Sequence, residues 1–209
     1  MSTWSAEQVR QFLTAVGDDR LRAMWVIFCT TGMRRGEVLA LRWEDLDLPN
    51  RRLSVRRSLV EVDYEVREVE PKTPRSRRSV SLDPVTVDEL AQHRRRQAEE
   101  RLTVGARPEA DYVFTHPSGF PLQPQNVSQA FGNLTRAAGL PIIRLHDLRH
   151  TSASLALSAG IHPKVVSERL GHSTVQLTLD LYSHVAEGIH EEAADELGAV
   201  IFGGKVSRG

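Results

Sequence analysis

The reading of this chain turns on three pieces of its second half: R-L-H-D-L-R-H at residues 144 to 150, L-G-H at 170 to 172 and L-Y-S-H at 181 to 184. A helix through the first piece, at about 100° per residue, puts His146, Arg149 and His150 in one polar sector. Leu145, Leu148, Leu155 and Ala159 form an apolar stripe beside it. One face would bury, and its edge would carry cations. Two imidazoles, a guanidinium, a further imidazole and a phenol make a poor core. They suit an anion with a nucleophile at hand, and the anion most easily imagined there is a phosphate.

Outward from that stretch, the chain has 209 residues, 40% of them apolar, enough for one good-sized core or one domain with a tail. No apolar run reaches the ~18 residues of a membrane span. The opening M-S-T-W-S-A-E-Q lacks the basic and apolar regions of a signal peptide, so a cytoplasmic protein without a membrane partner is expected. Cys29 is the only cysteine, which excludes disulfides and cysteine-built zinc sites within one chain. In the apolar run Met24 to Cys29 it reads as core filler and not as a nucleophile.

The net charge is zero, with 27 basic and 27 acidic residues, which by itself argues weakly against a nucleic-acid partner. The distribution says more: residues 183 to 200 hold five acids and no Lys or Arg, whereas Lys72, Arg75, Arg77 and Arg78 form a cationic run with no acid between them. Such a run is either a solvated loop or a contact with a phosphate backbone. Twenty-four of the 27 basic residues are Arg, which suits two-pronged contacts to phosphate and equally reflects a GC-rich genome.

From the N-terminus, Ser5 with Gln8 forms a capping pattern, Trp4 is placed to staple onto Val9, and the helix should run to about Val16. A more buried helix over Leu21 to Thr31 stops at Gly32, and another begins near Gly36 with Val38, Leu39 and Leu41. Between them T-G-M-R-R-G-E sets Arg34 and Arg35 at a helix junction, one turned inward and the other to water. Beyond Asn50 the period changes to two. Leu53 and Val55, then Val60, Val62, Tyr64 and Val66, then Val80 and Leu82 read as three short antiparallel strands. Asp83 caps and Pro84 opens a helix to about Leu102, and a loop-like stretch containing Y-V-F-T follows. Helices are expected from about Pro124 to Ala138, Leu145 to Ala159, Pro163 to Leu170, Thr174 to Ser183 and Glu187 to Ile201, with Gly160 and Gly171 as stops. The layout is mostly α with a small antiparallel three-stranded sheet, an α+β fold.

Five of these pieces together resemble the catalytic domain of the tyrosine recombinases, the phage integrase family. T-G-M-R-R-G-E looks like that family's first arginine box, P-K-T-P-R-S-R-R-S-V-S-L its strand-turn lysine, H-D-L-R-H its His-x-x-Arg box, L-G-H its third basic position and L-D-L-Y-S-H its nucleophile. The match runs from about residue 5 to residue 190 in the family's order. It implies that residues 1–186 are a catalytic domain of the integrase fold and residues 187–209 a C-terminal helix or tail of the kind that can be exchanged between protomers. A separate N-terminal DNA-binding domain is not seen before it. It also implies double-stranded DNA as partner in the nucleoid, a monomer when free and a synaptic tetramer on DNA, and strand exchange with no metal and no cofactor.

The resemblance assigns roles residue by residue. Arg34 and Arg149 would hold the non-bridging oxygens of a phosphodiester, where charge builds up during attack. His172 would donate one further hydrogen bond, and His146 would assist proton transfer. Tyr182 would become linked to a DNA 3′-phosphate, conserving the bond energy for rejoining. Lys72 would protonate the departing 5′-oxygen. Glu37 would orient the cations, His150 would support them, and Arg75, Arg77 and Arg78 would lie on the DNA backbone. Other readings stay open: a zinc site of His146, His150 and His172, although position 147 is Asp and Arg149 would crowd the metal; DNA relaxation of the type IB topoisomerase kind; and a non-catalytic DNA-binding relative.

Overall fold

Ser5 starts the first helix as its sequence announces: its hydroxyl accepts from the Gln8 N–H at 3.2 Å, and the Gln8 side chain accepts from the Ser5 N–H at 2.9 Å. In the computed structural model, residues 2–63, 65–70, 77–104, 110–171, 176, 178, 197–199 and 201–202 are described. The first helix is α1 (Ala6–Val16), followed by α2 (Arg22–Thr31), α3 (Arg35–Leu39) and a 3-10 turn at Trp43–Asp45. Five short strands come next, β1 (Leu46–Asp47), β2 (Arg52–Val55), β3 (Ser58–Val62), β4 (Glu65–Val69) and β5 (Arg78–Ser81). Then follow α4 (Pro84–Val104), α5 (Pro124–Ala137), α6 (Asp147–Ser158) and α7 (Pro163–Leu170). Among the described residues no helix is long and apolar enough to cross a membrane.

The core is built on α2, buried from Ala23 through Cys29 because every side is covered, with α1, α4 and α6 packed against it. Burial pushes the Cys29 thiol up to about 12, consistent with core filler. Trp4 reaches past a local staple. Its ring lies 5.3 Å from Phe12 and 5.6 Å from Phe131, and its backbone N–H donates to Thr151 Oγ1 at 3.1 Å, so the N-terminus is bolted to α6. On α4, Gln97 accepts from Trp43 Nε1 at 2.8 Å and donates to the Val113 carbonyl at 2.9 Å, which holds the Y-V-F-T stretch on the core.

A three-stranded antiparallel sheet is present, in the order β1-β2-β5, with Leu53 opposite both Leu46 and Val80. Its members differ from those expected. The stretch 60–66, read as one strand, is instead the hairpin of β3 and β4, with Val62 opposite Glu65 and a turn at Asp63, whose φ is 52°. Alternation of valines is blind to a reversal after Val62, where Asp63 tolerates the positive φ. The side chain buried from this hairpin is Leu59, while Val62 is exposed.

Two further differences concern the helices. On α6 the buried residues are Asp147, Leu148, Arg149, Thr151, Ala153 and Leu157, not a stripe ending in Leu155 and Ala159. The helix is wedged between α2 on one side and α7 on the other, so two of its faces bury. Helix α3 begins at Arg35, and Leu41 lies beyond its end. Of the last two expected helices, residues 176, 178, 197–199 and 201–202 are helical and the rest lie outside the described residues.

Candidate active site

The junction between α2 and α3 is shaped by two glycines. Gly32, at φ +62°, ends α2 with its Cα against Ser152 of α6 and Leu170 of α7, where a side chain would collide with Leu170. Gly36 lies so close to the Leu59 carbonyl and the Ser58 hydroxyl of β3 that a Cβ would collide with both. Side chains of α6 and α7 and the backbone of β3 therefore press on the junction that carries Arg34.

Arg34 and Arg35 part as their position suggests. Arg35 turns outward and donates to Ser128 Oγ at 2.6 Å, whereas Arg34 turns inward and donates through Nη1 to Glu37 Oε1 at 2.8 Å and through Nη2 to the Gly171 carbonyl at 3.2 Å. Glu37 is buried. Its Oε2 accepts from the Arg34 backbone N–H at 2.9 Å, and both carboxylate oxygens accept from Arg78, at 3.0 and 2.9 Å. Burial acts to raise the Glu37 pKa, but the hydrogen bonds and charges of Arg78 and then Arg34 overcome it and hold the carboxyl below its ordinary value.

Arg149 is 4% exposed and donates through Nη1 to the Gly32 carbonyl at 2.8 Å. Its Nη2 is buried without a hydrogen-bond partner among the described residues. Burial first, then the Arg34 charge, pushes this guanidinium down to about 9, with Glu37 acting the other way and Arg78 adding to the depression. At neutral pH it is still a cation, one with an unused donor and few counter-charges. That combination favours an incoming anion.

His146 caps α6 and is exposed, with its ring 5.3 Å from that of His150 and edge-on to it. Burial and then the neighbouring His150 and Arg149 charges depress the His146 pKa; burial likewise depresses that of His150, against the Asp147 charge. Both imidazoles are therefore mostly neutral at pH 7. Asp147, at the second position of the zinc-like pattern, is taken by Arg144, which donates to it from its backbone N–H at 2.9 Å, from Nε at 3.1 Å and from Nη2 at 2.9 Å.

The structure thus brings together Arg34, Glu37 and Arg149, sets His146 and His150 one turn along, and ties Arg34 to Gly171, the residue before His172. Lys72, Arg75, His172 and Tyr182 lie outside the described residues. The cationic run is split. The Arg77 side chain is 60% exposed, paired with Glu70 at 2.8 Å beside a cleft of about 630 Å³ that Arg56 and Arg57 also line. That of Arg78 is 6% exposed and belongs to the site's interior, not to a solvated loop facing a DNA backbone. The strand period gives only its face, since in β5 it is two residues before buried Val80; the carboxylate it meets there comes from a distant part of the chain. Arg169 escaped sequence reading altogether. It donates to the Ser81 carbonyl at 2.7 Å and the Thr30 carbonyl at 3.1 Å, and no local pattern marks an arginine that serves distant backbone.

Comparison with known proteins places this geometry in context. Residues 3–188 match the model of the phage integrase family. The chain is 33% identical over 198 residues to a tyrosine recombinase XerC-like protein of Caldanaerobacter subterraneus subsp. tengcongensis, covering 88% of this chain and 51% of that one. It is 30% identical over 200 residues to the ICEBs1 integrase of Bacillus subtilis, covering 94% of this chain and 54% of that one. It spans about half the length of these curated relatives. Its fold is similar to that of the Tn1549 transposon integrase in complex with transposon right end DNA, with a TM-score of 0.79 and 25% identity over 92% of this chain and 66% of that one. The XerA recombinase shares the fold at a TM-score of 0.73 and 22% identity, over 94% of this chain and 63% of that one. With the arginine box, the His-x-x-Arg helix and the match over nearly its whole length in agreement, the chain belongs to the phage integrase family of tyrosine recombinases.

Proposed function

We propose that this chain is the strand-cleaving part of a site-specific DNA recombinase or integrase. Arg149 carries the reading, as a buried guanidinium with an unpartnered Nη2 beside Arg34, a place where a phosphate would find two forks already held by backbone and by Glu37. In this reading the scissile phosphodiester sits between them, and the charge that grows on its non-bridging oxygens during attack lowers the barrier through both guanidiniums. His172, directly after the Gly171 that binds Arg34, adds one donor. The phenol of Tyr182 attacks phosphorus, the P–O bond to the 5′-oxygen breaks, and a 3′-phosphotyrosine holds the DNA end. Neutral His146 takes the phenolic proton, and Lys72 supplies one to the departing oxygen. Rejoining reverses each step with a 5′-hydroxyl as nucleophile. Residues 187–209, in which Leu197, Ile201 and Phe202 are exposed, would pack on a neighbouring protomer in a DNA-bound tetramer.

The test uses a pool of nicked duplexes of randomised sequence, in which cleavage next to the nick releases a short fragment and traps the enzyme. A protein–DNA adduct on a denaturing gel is expected for the wild type, undiminished by excess EDTA, and absent in Tyr182→Phe. An adduct that survives in Tyr182→Phe, or maps to Tyr64 or Tyr112, would sink the assignment.

A further inference from the structure

Glu37 has a carboxylate with four good acceptor directions, and four N–H groups fill them. Two come from Arg34, its backbone N–H at 2.9 Å and Nη1 at 2.8 Å, and two from Arg78, at 3.0 and 2.9 Å. The two arginines are not equivalent. Although turned in toward Glu37, the Arg34 side chain is still 42% exposed, whereas that of Arg78 is 6% exposed and approaches from the protein side. Arg78 also donates through Nε to the Arg169 carbonyl at 2.8 Å, and it lies against Gly171, where a Cβ would come within 2.9 Å of its Nη1. One guanidinium thus touches both α3 and the α7 turn that leads to His172.

We propose that Arg78 is a positioning residue of the phosphate site: by neutralising Glu37 from within, it leaves the Arg34 fork free to turn to a phosphate and holds the α7 turn in register with it. This rests on the reading above that Arg34 and Arg149 receive a phosphate. The charge count of the cluster among the described residues supports it, since three guanidiniums against one carboxylate leave two positive charges. Without Arg78 one positive charge remains. The buried carboxylate then has two unfilled acceptor directions, and the remaining N–H groups of Arg34, which already donates to it, are at hand among the described residues to fill them. Removing the Glu37 charge as well restores the count to two and removes the competitor for Arg34.

The experiment measures orthophosphate binding to the 209-residue chain by ³¹P NMR titration, alongside adduct formation on the nicked duplex pool. Arg78→Met should bind orthophosphate about ten- to a hundredfold more weakly, within the range that couplings between contacting groups span. Arg78→Lys, which keeps the charge, should stay within a few-fold of wild type. The double variant Arg78→Met/Glu37→Gln should recover most of the loss in both assays. A double variant no better than Arg78→Met overturns the proposal, as does full affinity in Arg78→Met. If melting curves show that Arg78→Met does not fold, the double variant, which buries no uncompensated carboxylate, decides: folded and within about tenfold of wild type supports the proposal, folded and weaker overturns it. Orthophosphate coupling as expected, with no duplex ever trapped by the wild type, leaves Arg78 in place and removes the strand-cleavage reading. Trapping without the coupling does the reverse.

Discussion

Arg149 is a cation held where cations are costly, and its neighbours share the tension: His146 and His150 are depressed by the same burial and the same guanidinium. For both histidines the folded value lies below the unfolded one. Just below the ordinary imidazole value the unfolded chain binds more protons, so stability is full above that value and is lost as pH falls through the folded one. For catalysis, the acid limb of adduct formation should lie below pH ~6.5 and should vanish in His146→Gln. A limb at or above that pH, or one unchanged in the variant, would remove His146 from proton transfer. Lys72 makes a sharper case, because an ordinary surface lysine is equally at home in P-K-T-P. As general acid it is worth about 10² to 10⁴ in rate. Lys72→Ala should show that loss on normal DNA and recover on a substrate with sulfur at the 5′-bridging position, since a thiolate leaves without a proton. Near wild-type cleavage of normal DNA, or equal slowness on both substrates, would assign the role to another residue, with His146 or Arg75 next in line.

At the scale of elements, the two packed faces of α6 and the close approach of α3 to β3 decide where the cations sit. Gly36 is the contact point of that approach. Gly36→Ala must push β3 away from α3 and should lower stability by about 1–3 kcal/mol, as overpacking does, read as a lower denaturant midpoint at unchanged slope. Gly132, inside α5 with only the tip of Arg136 near its missing Cβ, is the contrast. Gly132→Ala should be neutral or raise stability by up to about 1 kcal/mol. Equal effects at the two positions would show that the α3–β3 contact yields freely. The sequence announced both helix stops, Gly32 and Gly171, since each ends a periodic apolar run. It could not announce Gly36 as a close approach, because the strand it meets lies more than twenty residues on.

At the scale of the molecule, a chain with no net charge that spans about half of its relatives is proposed to grip DNA through arginine clusters alone. Binding should therefore be weak and fall steeply with salt, with log K losing about 0.9 per decade of salt for each phosphate neutralised. Nanomolar, salt-insensitive binding in a filter or fluorescence assay would contradict it. Much of this was readable in one dimension. Caps, glycine stops and apolar periods are local, so the helices from Ala6 to Leu170 and the mostly α layout follow from the sequence itself, and the boxes that carry Arg34 and Arg149 stand out by their resemblance to the family's motifs in order along the chain. Tertiary structure alone decided that 60–66 turns back as a hairpin, that α6 buries two faces, and that Arg78 enters the site and not the solvent. The reason is physical: whether an arginine is solvated depends on the carboxylate and carbonyls folded against it, and Glu37 and Arg169 reach Arg78 from 41 and 91 residues away.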